Sequence, residues 1–167
     1  MNGRWRVGPI GSTRAGTPWL VLRAGGLEAT QWNGPVLSLD AGPLRRLGPD
    51  LLAATTDPAA LVPLLRRAES ARPIGEVLRD QRLVAGIGNM WMSEALWAGA
   101  VSPWLPVGDA SDGELLAVLQ WARAAMSASV TGARPDRAVY RRAGRPCRRC
   151  GGVILARGQG DDNRTAY

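Results

Sequence analysis

Two glycines one residue apart, Gly86 and Gly88, run straight into Asn89 within Asp80-Gln-Arg-Leu-Val-Ala-Gly-Ile-Gly-Asn-Met-Trp-Met-Ser-Glu-Ala-Leu-Trp97, and the stretches on both sides read as helix. Glycine lets a chain turn tightly and brings its backbone N–H groups close to a ligand with no Cβ in the way. Asn89 falls at the expected helix start and reads as its cap, where unpaired N–H groups and the positive end of the dipole favour an anion. A phosphodiester suits such a cradle. Further along, Tyr140-Arg-Arg-Ala-Gly-Arg-Pro-Cys-Arg-Arg-Cys-Gly-Gly152 adds a Cys-x-x-Cys turn surrounded by positive charge. Together the two segments point to DNA.

The charge balance supports a polyanionic partner. The chain carries a net charge of +7 with a pI near 11.1, and each phosphate neutralised releases counterions and gives salt-sensitive affinity. All 21 basic residues are arginine, with neither lysine nor histidine present. That removes the usual imidazole base and every side-chain amine able to form a Schiff base. Carboxylates, the two cysteines and the α-amino group of Met1 are left for covalent or acid–base chemistry.

No apolar run is long enough for a membrane span, and the N-terminus lacks a signal-peptide pattern, so the expectation is a cytoplasmic protein. In a reducing compartment, Cys147 and Cys150 read as metal ligands or a redox pair before a structural disulfide. A redox pair wants a helix N-terminus to depress a thiol pKa, whereas Pro146 before and Gly151-Gly152 after indicate a knuckle. A structural zinc takes four ligands, and these two cysteines supply half of them.

The first 47 residues have the grain of β structure. Gly3–Val7 and Trp19–Ala24 read as strands, and Ala29–Asn33 and Val36–Leu39 flank an Asn33-Gly34 turn. Four short strands make only part of a sandwich. Helical patterning starts at Leu44. Asp57 and Pro58 open a helix reaching Arg67, another leads from Ile74 towards the glycine turn, and Asn89–Ala98 forms the next. Ser111-Asp-Gly-Glu114 is a capping box, followed by Leu115, Leu119, Ala122 and Met126 on one face. After Ser129 the chain loosens, then gives the cysteine knuckle, a strand-like Val153–Ala156, a polar turn over Gly158–Asn163, and Thr165–Tyr167. The fold class is therefore α+β: a partial N-terminal β-sandwich over 1–47, an all-helical module over 48–129, and an incomplete hairpin over 130–167.

Asp80–Trp97 resembles the helix-two-turn-helix signature of the formamidopyrimidine-DNA glycosylase and endonuclease VIII (Fpg/Nei) family. Leu47-Gly-Pro-Asp-Leu51 resembles the link that precedes it, Val139–Gly152 the start of that family's C-terminal zinc finger, and Met1–Val7 a strand of its β-sandwich. The resemblance implies binding of double-stranded DNA with oxidised bases or abasic sites, by a monomer associated with the nucleoid. It implies excision of the damaged base after base flipping, then cleavage at the abasic site by β,δ-elimination. The short connection from Met126 to Val139 is similar to the endonuclease VIII side, which acts mainly on oxidised pyrimidines.

The family's nucleophile is an N-terminal proline followed by glutamate, assisted by a lysine. Met1-Asn2 is not that start and no lysine exists, so no catalytic residue is expected here and the chain alone is expected to be inactive. Both ends read as cut, and the finger's second Cys-x-x-Cys is absent. By resemblance, Asn89, Gly86 and Gly88 contact phosphate, Arg164 clamps phosphates from the tip of the finger hairpin, and Met1 stands where a residue fills the gap left by a flipped base. Glu94 resembles a glutamate that faces the catalytic amine; by its residue type alone it reads equally as a surface or salt-bridged carboxylate. The competing expectation is a non-catalytic lesion or DNA-end reader from the same family.

Overall fold

The computed structural model describes residues 4–12, 16–32, 42 and 44–167. The chain divides into two compact units, Met1–Pro43 and Leu44–Tyr167. Residues 48–129 and 130–167, expected as separate domains, both fall within the second.

In the first unit, β1 (Arg4–Pro9), β2 (Leu20–Ala24) and β3 (Leu27–Trp32) form an antiparallel sheet in the order β1-β3-β2. Ala24 pairs with Leu27 across Gly25-Gly26, whose φ values of 55° and 78° are those a tight two-residue hairpin requires. That turn differs from the expected one: β3 begins at Leu27, not Ala29, and the Asn33-Gly34 turn and the Val36–Leu39 strand lie outside the described residues. One face of the sheet carries Trp5, Val7, Leu22 and Leu27, all exposed. On the other, Glu28 is buried and accepts a 2.9 Å hydrogen bond from Arg23 Nε.

The second unit is built around α1 (Pro58–Leu65), α2 (Ile74–Arg79), α3 (Asn89–Ala98) and α4 (Asp112–Val130). Asp57 caps α1 by accepting from the Ala59 amide, with Pro58 in the first turn where its missing N–H costs nothing. Both halves of the Ser111/Glu114 capping box are formed at α4. The expected face of that helix, Leu115, Leu119, Ala122 and Met126, is buried against Leu65, Leu96 and the rest of one core. Burial of a side chain of this size stabilises by roughly 1.5–3 kcal/mol.

The chain ahead of the helices is threaded close to the loop that follows α2. Gly48 N donates to Gln81 O and Ala85 N to Pro49 O, and a Cβ on Gly48 would lie 2.6 Å from the Leu83 carbonyl oxygen. Glycine is the residue that fits there. The turn after α2 is organised by Asp80, whose carboxylate accepts from the Arg82 amide and from the Arg82 and Arg72 guanidinium groups. The bond from Arg82, and then that from Arg72, outweigh the opposing effect of burial and hold its carboxyl well below the usual carboxylate range.

Strands β4 (Arg157–Gln159) and β5 (Arg164–Ala166) form the terminal hairpin. The expected strand over Val153–Ala156 is instead extended chain: a bridge joins Pro146 and Val153, Ile154 N donates to Arg145 O, and regular pairing starts at Arg157. The hairpin is plugged into the helical core. Ala166 is fully buried, and buried Gln159 donates to Pro103 O at 2.8 Å over Gly75, where a Cβ would meet Gln159 Oε1 at 2.4 Å. Glu94, 1% exposed in α3, accepts from the amides of Ala138, Val139 and Tyr140 at 2.8, 3.0 and 2.7 Å. It ties the helix to the chain that enters the knuckle.

Two stability outcomes are expected. Glu94→Gln places an amide NH2 among three backbone donors and lowers stability by about 2 kcal/mol, read as a reduced chemical-denaturation midpoint. Asp80→Asn lowers stability by about 1–2 kcal/mol at neutral pH. Because the folded carboxyl is depressed, its contribution is present above the unfolded value of about 4 and fades as the pH falls below it. The parent and Asp80→Asn curves therefore converge in acid; a gap unchanged down to strong acid contradicts the assignment.

Candidate nucleic-acid interface

The glycine bend is held from behind and open in front. Gln81 Oε1 accepts from the Gly86 amide at 2.8 Å, and its Nε2 donates to Ile87 O at 2.9 Å and Arg79 O at 3.2 Å. Ile87 is 1% exposed and anchors the loop, whereas Gly86 and Gly88 are exposed. Gly86 has φ +102°, a conformation that favours glycine, and a Cβ there would meet Asp50 and Met126 at an ordinary contact distance of 3.4 Å. Next to Gly88 a Cβ would meet nothing within 4 Å. The space beside it is open to a ligand.

The helix start differs from the expectation. Gly88, with φ −92° and ψ 174°, is the N-cap, and Asn89 is already the first helical residue. No side chain caps α3, so its first-turn N–H groups keep their hydrogen-bonding capacity. The Asn89 amide crosses instead to the terminal hairpin, where Nδ2 donates to Thr165 O at 2.8 Å. The bond needs a donor facing a carbonyl, which fixes the orientation of the amide and leaves the second N–H of Nδ2 uncommitted among the described residues. Asn89 Oδ1 is buried without a partner among the described residues.

Arg164 stands in β5, one residue before Thr165, with its side chain 53% exposed. Its Nε donates to Asp162 Oδ2 at 3.2 Å, and Asp162 in turn accepts from Arg79 Nη1 at 3.0–3.1 Å. The hairpin turn around them uses Gly160 and Asn163 at φ 71° and 47°, both in the left-handed region that glycine and asparagine tolerate. The uncapped helix start that follows the glycine bend and the strand that carries Arg164 are thus joined through one asparagine side chain.

Other expected site residues are distributed differently. Met1 lies outside the described residues. Glu94 faces three backbone amides, which give it an anchoring role in the fold. The arginines of the knuckle are also less available than their spacing implies. Arg149 lies over the Trp97 ring at 4.6 Å and donates to Ala98 O, Arg148 pairs with Asp136, and Arg142 donates to the carbonyls of Arg137 and Pro146. The contacts of Arg149 hold the knuckle on α3, and those of Arg148 and Arg142 tie it to the chain that leads into it.

Cys147 and Cys150 sit on a tight turn in which Gly151 N donates to Cys147 O and Cys147 N to Gly152 O. The Trp97 indole N–H, 3.4 Å from Cys147 Sγ, and then the amides of Arg149 and Cys150 pull this thiol down to about 6. Such sulfur-directed N–H groups suit a thiolate ligand. Among the described residues, however, no group of three or more His, Cys, Asp or Glu side chains is arranged to hold a metal. Two thiolates do not close a tetrahedral zinc site. Gln81 and Trp97 lie within the Asp80–Trp97 stretch and Asp162 in the polar turn over 158–163, but nothing in the sequence assigns a role to them or to Arg79.

The model of the formamidopyrimidine-DNA glycosylase H2TH domain matches residues 47–136. A Streptomyces coelicolor protein named "Probable endonuclease 8 2" is 35% identical over 98% of this chain, which spans 65% of that protein's length. Among solved structures, MutM (Fpg) from Thermus thermophilus aligns over 99% of this chain and 70% of its own, with a TM-score of 0.76 and 27% identity. A Lactococcus lactis formamidopyrimidine-DNA glycosylase bound to DNA containing an abasic site shares the fold, with a TM-score of 0.76 at 20% identity over 99% of this chain and 69% of its own. Matched by that family model over more than half of its length, the chain belongs to the Fpg/Nei family.

Proposed function

We propose that this chain grips damaged double-stranded DNA as part of an endonuclease VIII-like DNA glycosylase and abasic-site lyase. The observation that carries the proposal is the Asn89–Thr165 bond, which sets the uncapped start of α3 and the exposed Gly86–Gly88 backbone beside Arg164. Backbone N–H groups, a side-chain amide and a guanidinium are the donors that phosphate oxygens take, and they position a duplex without reading its sequence. The endonuclease name of the Streptomyces relative and the abasic DNA held by the Lactococcus protein support the same partner. A purely non-catalytic lesion reader draws no support from relatives that carry enzyme names.

In this proposal residues 1–47 belong to the β-sandwich of the catalytic domain, 48–129 form the helix-two-turn-helix module, and 130–167 begin the finger. Oxidised pyrimidines are the expected lesions, and the cytoplasmic nucleoid the expected location. Among the described residues no helix is long and apolar enough to cross a membrane. Cys147 and Cys150 act as two of four zinc ligands, the remaining two coming from outside the described residues. Among residues present, no lysine can attack an abasic sugar. The polypeptide binds the duplex as a monomer, and no lysine side chain of its sequence takes part in the covalent steps.

Two measurements test this. Asn89→Ala removes a phosphate donor and frees the hairpin, and weakens binding to a duplex with a tetrahydrofuran abasic-site analogue by about tenfold; affinity unchanged across a salt series removes Asn89 from the interface. Borohydride added to the chain and a true abasic duplex yields no covalent adduct, and a strong trapped band would show that an amine of this polypeptide does the chemistry.

A further inference from the structure

Arg79 is the last residue of α2, and its side chain is only 11% exposed, with Nε and both terminal nitrogens hydrogen-bonded. Its Nε donates to Gly75 O at 3.2 Å, one terminal nitrogen to Gln159 O at 3.3 Å, and the other to both oxygens of Asp162 at 3.0 and 3.1 Å. A planar guanidinium bonded in three directions is a rigid reference point, because its donors cannot rotate independently. Asp162 is 53% exposed and would be free to change rotamer if Arg79 did not hold both of its oxygens. From that fixed position it accepts a further bond from Arg164 Nε.

The consequence falls on Arg164. A guanidinium has five N–H donors, and the Nε edge is the one committed to Asp162. No hydrogen bond to a described residue occupies its two terminal nitrogens, which are the pair that meets a phosphate in bidentate fashion. The triad retains one net positive charge, since two guanidinium groups share one carboxylate.

We propose that Arg79 is a positioning residue for DNA binding: acting through Asp162, it fixes the guanidinium of Arg164 with its terminal nitrogens free to take a backbone phosphate. This rests on the proposal that Arg164 grips phosphate, and extends it to a helix residue with no expected contact to DNA. Simple electrostatics predicts the opposite for Asp162, because a carboxylate beside the duplex should repel it.

The test measures affinity of the full chain for a duplex carrying a tetrahydrofuran abasic-site analogue, by fluorescence anisotropy at fixed salt, with circular dichroism confirming the fold of each variant. Arg79→Lys keeps the charge and loses the fork, and weakens binding by about fivefold. In an Arg164→Ala background the same substitution causes no further loss. Asp162→Asn weakens binding although it makes the chain more basic. An equal loss from Arg79→Lys in both backgrounds, no loss in the parent, or tighter binding by Asp162→Asn overturns the proposal while leaving the Arg164 contact standing. If Arg79→Lys does not fold, Asp162→Asn decides alone. An Arg164→Ala variant that binds like the parent overturns the phosphate contact and this inference with it.

Discussion

A single 2.8 Å hydrogen bond from Asn89 Nδ2 to Thr165 O joins two parts of the chain that are otherwise distant in sequence. Because Gly88 supplies the cap, Asn89 is released from the local duty that asparagine usually performs at a helix start. Its amide reaches the hairpin instead, and the first-turn N–H groups of α3 stay open. Without that exchange the glycine bend and Arg164 would be separate weak features. With it, the glycine bend and the strand that carries Arg164 are joined, as the proposed surface of donors requires.

The surroundings hold this surface still. Ile87 buries the middle of the bend while Gln81 secures both of its flanking peptide groups, so the exposed glycines are constrained despite their freedom. Gln159, Ala166 and Arg79 seat the hairpin on α2 and α3. Glu94 fixes the entrance to the knuckle by three charge-assisted bonds. Donors that are ordered before a phosphate arrives bind it with less entropic cost, which is what rigid elements contribute to a loop site.

Local signals in the sequence were sufficient where the physics is local. The Asp57-Pro58 start, the Ser111–Glu114 box and the Asn89–Ala98 helix all rest on contacts within a few residues, and each element formed where the residues indicated. The Gly25-Gly26 hairpin was missed because Asn33-Gly34 offered the stronger turn signal nearby, and two adjacent glycines resemble a loose loop as much as a tight turn. Long-range contacts were hidden altogether. Arg79 and Asp162 are 83 residues apart, and neither has a pattern that announces a partner. Glu94 draws its expected role from the family resemblance alone, and its buried backbone partners, more than forty residues away, have no sequence signature. In sequence the knuckle arginines read as one block of positive charge, whereas the Trp97 ring engages Arg149 and backbone carbonyls engage Arg142 individually.

The most direct test follows the backbone amides of residues 86–91 and the Nε–Hε signal of Arg164 by NMR while a tetrahydrofuran-containing duplex is added. Both sets are expected to shift together and to saturate with one dissociation constant, as one surface requires. Glycine-loop amides that stay in place at saturation, or two sets that titrate separately, would contradict the claim that Asn89 unites them.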